Sequence, residues 1–373
     1  MRRERIVSSD QTRKKIQEAL KRKNNLALPG GVAPPEKIHE LRKNINVANK
    51  NKDMLKHEQK KVTHRIERPR NNPIRRPTTQ YLTKIESEVT RLSLPEKGSF
   101  NAGLVDLGDK YLLVYRPDEI ELIACFLTYD YVVVPNSFYK FKLLYVSDPR
   151  LIITPDKKVL MSYSRYTFNN NNENIEGNII MDLNKSNNDI FQGETISISP
   201  KSIGRQKNWM PFIHEEKLYF IAHVCPHVIY EVDWNGEKES AIVHMVNWRH
   251  NWFLNEELRG NTNAIMLEDG NYLCTFHTAM RKGSCSFYDN GAYIFEGKPP
   301  FKPLECGHRT YLRAEAAKEK HFRKSGIIIC TFPISMTTKD NKLIISYGDN
   351  DSCVKIMETT IDEMKKTMSK IGC

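Results

Sequence analysis

The sequence sets ionisable residues beside aromatic, amide or proline neighbours in four places: Tyr115-Arg116, Ser147-Asp148-Pro149-Arg150, Lys207-Asn208-Trp209 and Phe276-His277. Together they hold a single carboxylate, Asp148, and three fixed cations, Arg116, Arg150 and Lys207. One acid among several cations suits a displacement in which the carboxyl protonates a leaving oxygen while the cations hold and aim an anionic nucleophile. Displacement by water would need a second carboxylate to activate it, and no partner base is evident here. Phosphate needs no such base, because it is already a nucleophile. Arginine presents a planar fork that grips two oxygens, whereas lysine supplies a point charge, so Arg116 and Arg150 are the expected grip. Plainer readings exist for two of these residues. Ser-Asp-Pro-Arg is a good turn initiator, and a lone histidine ending an apolar strand is commonly a hydrogen-bonded core residue.

Residues so far apart can share a site only if the fold brings them together, and an internal repeat supplies the means. Five segments carry one hairpin pattern: residues 100–116, 148–165, 207–223, 261–277 and 331–348. Each opens on a polar or aromatic anchor and runs into an apolar strand. The chain then turns on charged or glycine residues and returns through an alternating strand. Successive repeats end roughly 50 to 70 residues apart, which suits one four-stranded sheet per repeat with variable outer loops. The expected fold is all-β, a five-bladed propeller over residues 81–373, in which equivalent strand ends converge on a central channel. A two-sheet sandwich also has many short strands but calls for no set of five matching hairpins.

The net charge of +12 is unevenly placed. Residues 1–80 hold 22 Lys and Arg against 8 Asp and Glu, a local excess of +14, and contain no Phe, Trp or Tyr. Without aromatic residues such a segment is poorly suited to a packed core, and it reads as a separate basic arm, partly helical or disordered. Helical potential runs over residues 10–24 and 36–66, followed by a proline- and arginine-rich linker. The arm could bind nucleic acid or an acidic partner through its cations, or it could be a solvated tail, since no aromatic residue is interleaved to stack on bases. The start has no apolar stretch long enough for a signal peptide and nothing later approaches a membrane span, so a soluble, cytoplasmic protein is expected. The eight cysteines include no CxxC pair and several lie in apolar runs, which favours reduced core thiols over disulfides or zinc. Cys225-Pro226-His227 lacks further ligands at metal-binding spacing, and no metal or organic cofactor is expected.

Six motifs in order, Phe100-Asn101, Tyr115-Arg116, Asp148-Pro149-Arg150, Lys207-Asn208-Trp209, Phe332-Pro333 and Tyr347-Gly348-x-x-Asp351, resemble those of glycoside hydrolase family 130, the β-mannoside phosphorylases. The similarity runs from about Phe100 to the end and extends to related mannosyltransferases built on the same five-bladed scaffold. It implies a glycoside phosphorylase or glycosyltransferase that acts with inversion on β-mannosides or similar sugars, using phosphate or mannose 1-phosphate as co-substrate. Asp148 resembles the family's general acid, thought to protonate the leaving oxygen through a sugar hydroxyl. Arg116, Arg150, Lys207 and His277 resemble its cationic set for phosphate. Asn101, Asn208, Tyr347 and Asp351 would bind the sugar, with Trp209 presenting a flat face to the ring. The chain departs from the family at Ser147, commonly Glu there, and at Ala102, commonly Pro. A non-catalytic carbohydrate-binding or assembly propeller is the alternative.

Overall fold

The computed structural model describes residues 82–371, except 119–120, 144, 169–173, 187–188, 199–206, 235–239, 251, 253–256, 283–284, 315–321 and 324–325. The basic arm with its two helical stretches therefore lies outside the described residues. Among the described residues the structure is nearly all-β, with five antiparallel-dominated sheets that follow one another along the chain as the blades of a propeller.

Each predicted hairpin forms the inner pair of one blade. Blade 1 begins with Phe100–Asp106 and Tyr111–Arg116, blade 2 with Val146–Ile153 and Val159–Phe168, and blade 3 with Met210–His214 and Lys217–His223. Blade 4 opens on the short pieces Arg259–Gly260 and Ile265–Met266, which both pair with Tyr272–Lys282. Blade 5 begins with Thr331–Lys339 and Lys342–Asp349. The return strands were expected to alternate between buried and exposed faces. Instead Tyr111–Arg116 is buried at all six positions. The reason is that an inner strand has a neighbouring blade against each of its faces, so it reads as a continuous apolar run.

Five hydrophobic clusters fill the five seams. Leu112, Val114 and Phe126 of blade 1 meet Leu151, Met161 and Tyr163 of blade 2. Leu160 of blade 2 meets Trp209, Phe220 and Tyr230 of blade 3. Phe212 and Ile221 pack on Tyr272, Phe276 and Tyr293 between blades 3 and 4. Leu273 and Ile294 pack on Met336 and Ile345 between blades 4 and 5. The circle closes where Ile344 and Ile356 of blade 5 meet Leu104, Leu113 and Tyr115 of blade 1. A strand from the opposite end of the sequence order completes the last sheet: Glu88–Arg91 pairs antiparallel with Cys353–Thr359. Near the channel the blades approach so closely that a β-carbon on Gly103 would sit 2.4 Å from the carbonyl oxygen of Pro149. Cys125, Cys225, Cys274, Cys306, Cys330 and Cys353 are free thiols, and no helix among the described residues is long and apolar enough to cross a membrane.

Candidate active site

A local backbone feature places the first polar groups at the channel. Asn101, Asp148 and Asn208 occupy matching positions at the start of blades 1, 2 and 3, and all three adopt left-handed φ values of 47°, 56° and 65°. Asn and Asp tolerate that conformation better than other residues with a β-carbon. In blades 1 and 2 the register of the inner hairpin slips at this point, between Phe100 and Gly103 and between Ser147 and Arg150. Such a bulge re-aims the extra side chain. The result crosses from blade to blade: Asn101 Nδ2 donates to Asp148 Oδ1 at 3.0 Å.

Arginines surround the carboxylate. Arg116 stands opposite Phe100 in the blade 1 hairpin. Its guanidinium covers the Phe100 ring, 4.5 Å from the centroid, and its Nη1 lies 3.4 Å from Asp148 Oδ1. Arg150 Nη1 donates to the backbone oxygen of Asp148 at 3.2 Å, and its Nε donates to the backbone oxygen of Asn261 in blade 4. Burial pushes the Asp148 carboxyl up, but the charges of Arg116, Arg150 and Lys207 and the Asn101 hydrogen bond outweigh it and leave the group below the usual aspartate range. Desolvation lowers Arg150 to about 10, still a cation at neutral pH. Arg116 Nε, Arg150 Nη2 and Asn208 Oδ1 are buried without a hydrogen-bond partner among the described residues. Buried polar atoms are seldom left unpaired, and two unpaired guanidinium N–H groups beside one carboxylate are suited to receive an oxyanion.

Three expected roles need correction. His277 was counted among the cations, yet burial and the charges of Arg259, Lys207 and Arg150 hold it well below the ordinary histidine value, with a hydrogen bond to the Gly260 backbone acting the other way. It is therefore a neutral imidazole, stacked on Tyr288 at 5.0 Å and bonded through Nδ1 to Asn261 Oδ1 at 2.7 Å. Trp209 does not offer a face to a sugar. It is 1% exposed and stacks on Tyr230 at 4.6 Å inside the seam between blades 2 and 3. Tyr347 likewise belongs to the seam between blades 4 and 5, beside Met336 and Ile345. Lys207 is exposed, and its charge acts on both Asp148 and His277. Asp351 is half-buried with left-handed φ and acts on Tyr288. Trp248 donates to the Val224 carbonyl and stacks on Tyr293 in a seam.

Four residues of this region were not picked out from the sequence: Arg259, Asn261, Tyr288 and Asn290. Burial drives Tyr288 up to about 12, helped by Asp351 and Asp148. The legible signals were the polar run Arg259-Gly260-Asn261-Thr262-Asn263 opening a repeat and the polar pair Asp289-Asn290 between the aromatic residues of the strand Cys285–Phe295. Among the described residues no group of three His, Cys, Asp or Glu is placed to hold a metal ion.

The sequence matches the family model for beta-1,4-mannooligosaccharide phosphorylase over residues 118–370. A search of curated proteins finds no significant match. Among solved structures the fold is similar to a glycosyl hydrolase from Bacteroides ovatus, with a TM-score of 0.52 and 14% identity over 80% of this chain and 95% of that one. It is also similar to a member of a family of mannoside phosphorylases described as containing glycoside hydrolases that target beta-1,2 mannosidic linkages in Candida mannan, with a TM-score of 0.53 and 13% identity over 78% of this chain and 94% of that one. A mannose phosphorylase from Leishmania mexicana, solved with a phosphate ion, gives a TM-score of 0.50 and 12% identity over 78% of this chain and 92% of that one.

Proposed function

The chain belongs to glycoside hydrolase family 130, and we propose that within it this protein is an inverting β-mannoside phosphorylase with Asp148 as its acid. The observation that carries this reading is the sign of the charges around Asp148. Those acting most strongly on it are positive, from Arg116, Arg150 and Lys207. An inverting hydrolase needs its second carboxylate on the far side of the anomeric carbon, whereas a phosphorylase needs cations to hold its nucleophile.

In the proposed reaction a phosphate oxygen attacks the anomeric carbon of a β-mannoside, the bond from that carbon to the leaving oxygen breaks, and α-mannose 1-phosphate forms. Asp148 gives its proton to the leaving oxygen through a sugar hydroxyl. Arg116 and Arg150 hold the anion with their unpartnered N–H groups, Lys207 adds charge, and Asn101, Asn208 and Asp351 receive sugar hydroxyls. In reverse, mannose 1-phosphate is the donor, a sugar hydroxyl is the acceptor and phosphate is released.

The test is inorganic phosphate release from mannose 1-phosphate over a panel of mannose-containing acceptors. The intact protein is expected to turn over at least one acceptor. Asp148→Asn should lower that rate by roughly two to four orders of magnitude, as loss of a general acid does. Equal turnover by the variant would remove Asp148 from the chemistry, and no release with any acceptor would favour a carbohydrate-binding role.

A further inference from the structure

Behind His277 a chain of amides runs from blade 4 into blade 5, and its hydrogen bonds can be oriented without ambiguity. Asn290, 0% exposed, directs one terminal atom at three oxygens: the backbone carbonyls of Leu312 at 2.9 Å and Thr331 at 3.0 Å, and Thr331 Oγ1 at 2.8 Å. Backbone carbonyls only accept, so that atom must be the amide nitrogen. The other terminal atom, Oδ1, therefore faces Asn261 and must accept, which it does from Asn261 Nδ2 at 3.0 Å. Asn261 then has only its Oδ1 to present to His277, at 2.7 Å from Nδ1. An acceptor at that distance requires a proton on Nδ1. The buried, neutral ring has a single N–H, so the Gly260 backbone bond shares the Nδ1 proton and Nε2 carries none.

We infer that Asn290 and Asn261 are positioning residues that fix His277 as its Nδ1–H tautomer, so that Nε2 meets the bound oxyanion as an acceptor and the site favours an anion that carries a proton, hydrogenphosphate, over one that carries none, sulfate. The inference rests on the proposed phosphate role of this site for its ligand, but not for the tautomer. A bare imidazole nitrogen faced with the oxygen of sulfate sets lone pair against lone pair. Against the P–OH of hydrogenphosphate it gains a hydrogen bond, and leaving such a buried group unpaired is costly. Asn261 also ties the two halves of the anion site together, because its backbone oxygen accepts from Arg150 Nε while its side chain holds His277. Its anchor lies one blade further round, on Thr331.

The imidazole ¹⁵N shifts of His277 in the full chain, assigned by their loss in His277→Gln, test the tautomer directly. At neutral pH they are expected to show one protonated nitrogen, Nδ1, and a bare Nε2. Calorimetric titrations of the same protein with inorganic phosphate and with sulfate are expected to differ in affinity at least about tenfold in favour of phosphate. In Asn290→Leu the tautomers should mix and the gap between the anions should narrow. A proton on Nε2 in the unaltered protein, or sulfate bound as tightly as phosphate, overturns the inference. The spectrum of the unaltered protein decides the tautomer even if the variant does not fold. Binding of neither anion would sink the phosphate reading and with it the selectivity, while the ¹⁵N spectrum would still decide the tautomer by itself.

Discussion

At the scale of single residues, Asp148 poses a problem that its surroundings also answer. The general-acid role proposed for Asp148 requires a proton near neutral pH, yet Arg116, Arg150, Lys207 and Asn101 together overcome burial and keep this carboxyl ionised. A phosphate anion seated on those arginines would offset their charge and leave burial, which favours the protonated form, less opposed. Phosphate binding is therefore expected to raise the Asp148 pKa. The ¹³C shift of its carboxyl, followed through a pH titration with and without saturating phosphate, reads this directly. A titration midpoint that stays put or falls on adding phosphate would mean that the anion does not sit against Asp148. The sign matters for stability as well. With its folded pKa depressed, Asp148 supports the fold above the unfolded aspartate range and loses that contribution as pH falls through the folded value.

At the scale of elements, the seams between blades explain which residues were misread. Trp209 follows Asn208 directly, and in the chain it looks like part of one motif with Lys207. The left-handed backbone at Asn208, φ 65°, separates these neighbours, leaving Lys207 exposed while Trp209 goes into the seam with Leu160, Phe220 and Tyr230. Trp209→Ala is accordingly expected to cost about 3–5 kcal/mol of stability, as removal of a buried aromatic does. Urea unfolding measures it, and at a temperature where the variant remains folded its KM for the sugar should be close to that of the unaltered protein. A raised KM with unchanged stability would restore Trp209 to the sugar site. The five inner hairpins were legible in the chain because apolar runs, turn residues and end residues recur at regular spacing. What the repeat could not convey is that both faces of an inner strand are covered, so the return strands read as continuous apolar runs. It also could not show that Glu88–Arg91 completes blade 5. The site residues that local motifs mark, such as Asn101, Arg116, Asp148 and Arg150, do come together. Asn261 and Asn290 escaped because their importance lies in contacts between blades, which no spacing rule records.

For the molecule as a whole, a closed ring of five seams is only as acid-stable as its weakest seam, and the one between blades 3 and 4 contains an ionisable group with no acid partner. His227 is fully buried. Its Nδ1 bonds the backbone oxygen of Phe301 at 2.9 Å and its Nε2 lies 3.3 Å from the Tyr293 hydroxyl. Burial lowers its pKa from 6.5 to about 4, against the weaker pull of the Phe301 carbonyl. The unfolded chain therefore binds this proton from about pH 6.5 downward while the folded ring refuses it until about pH 4. Stability is fully present above the unfolded value and is lost as pH falls between the two. Linkage puts the loss from His227 alone at about 2 kcal/mol between roughly pH 7.5 and 5. His277 is depressed in the same direction and adds to the slope. Denaturant unfolding of the intact protein across this range is expected to show stability falling with acid. His227→Asn keeps a donor for the Phe301 carbonyl but cannot take up the proton, so the variant should be weaker at neutral pH and its curve flatter. If the variant and the unaltered protein lose stability in parallel, the acid sensitivity belongs to another group and this seam is not where the ring first opens.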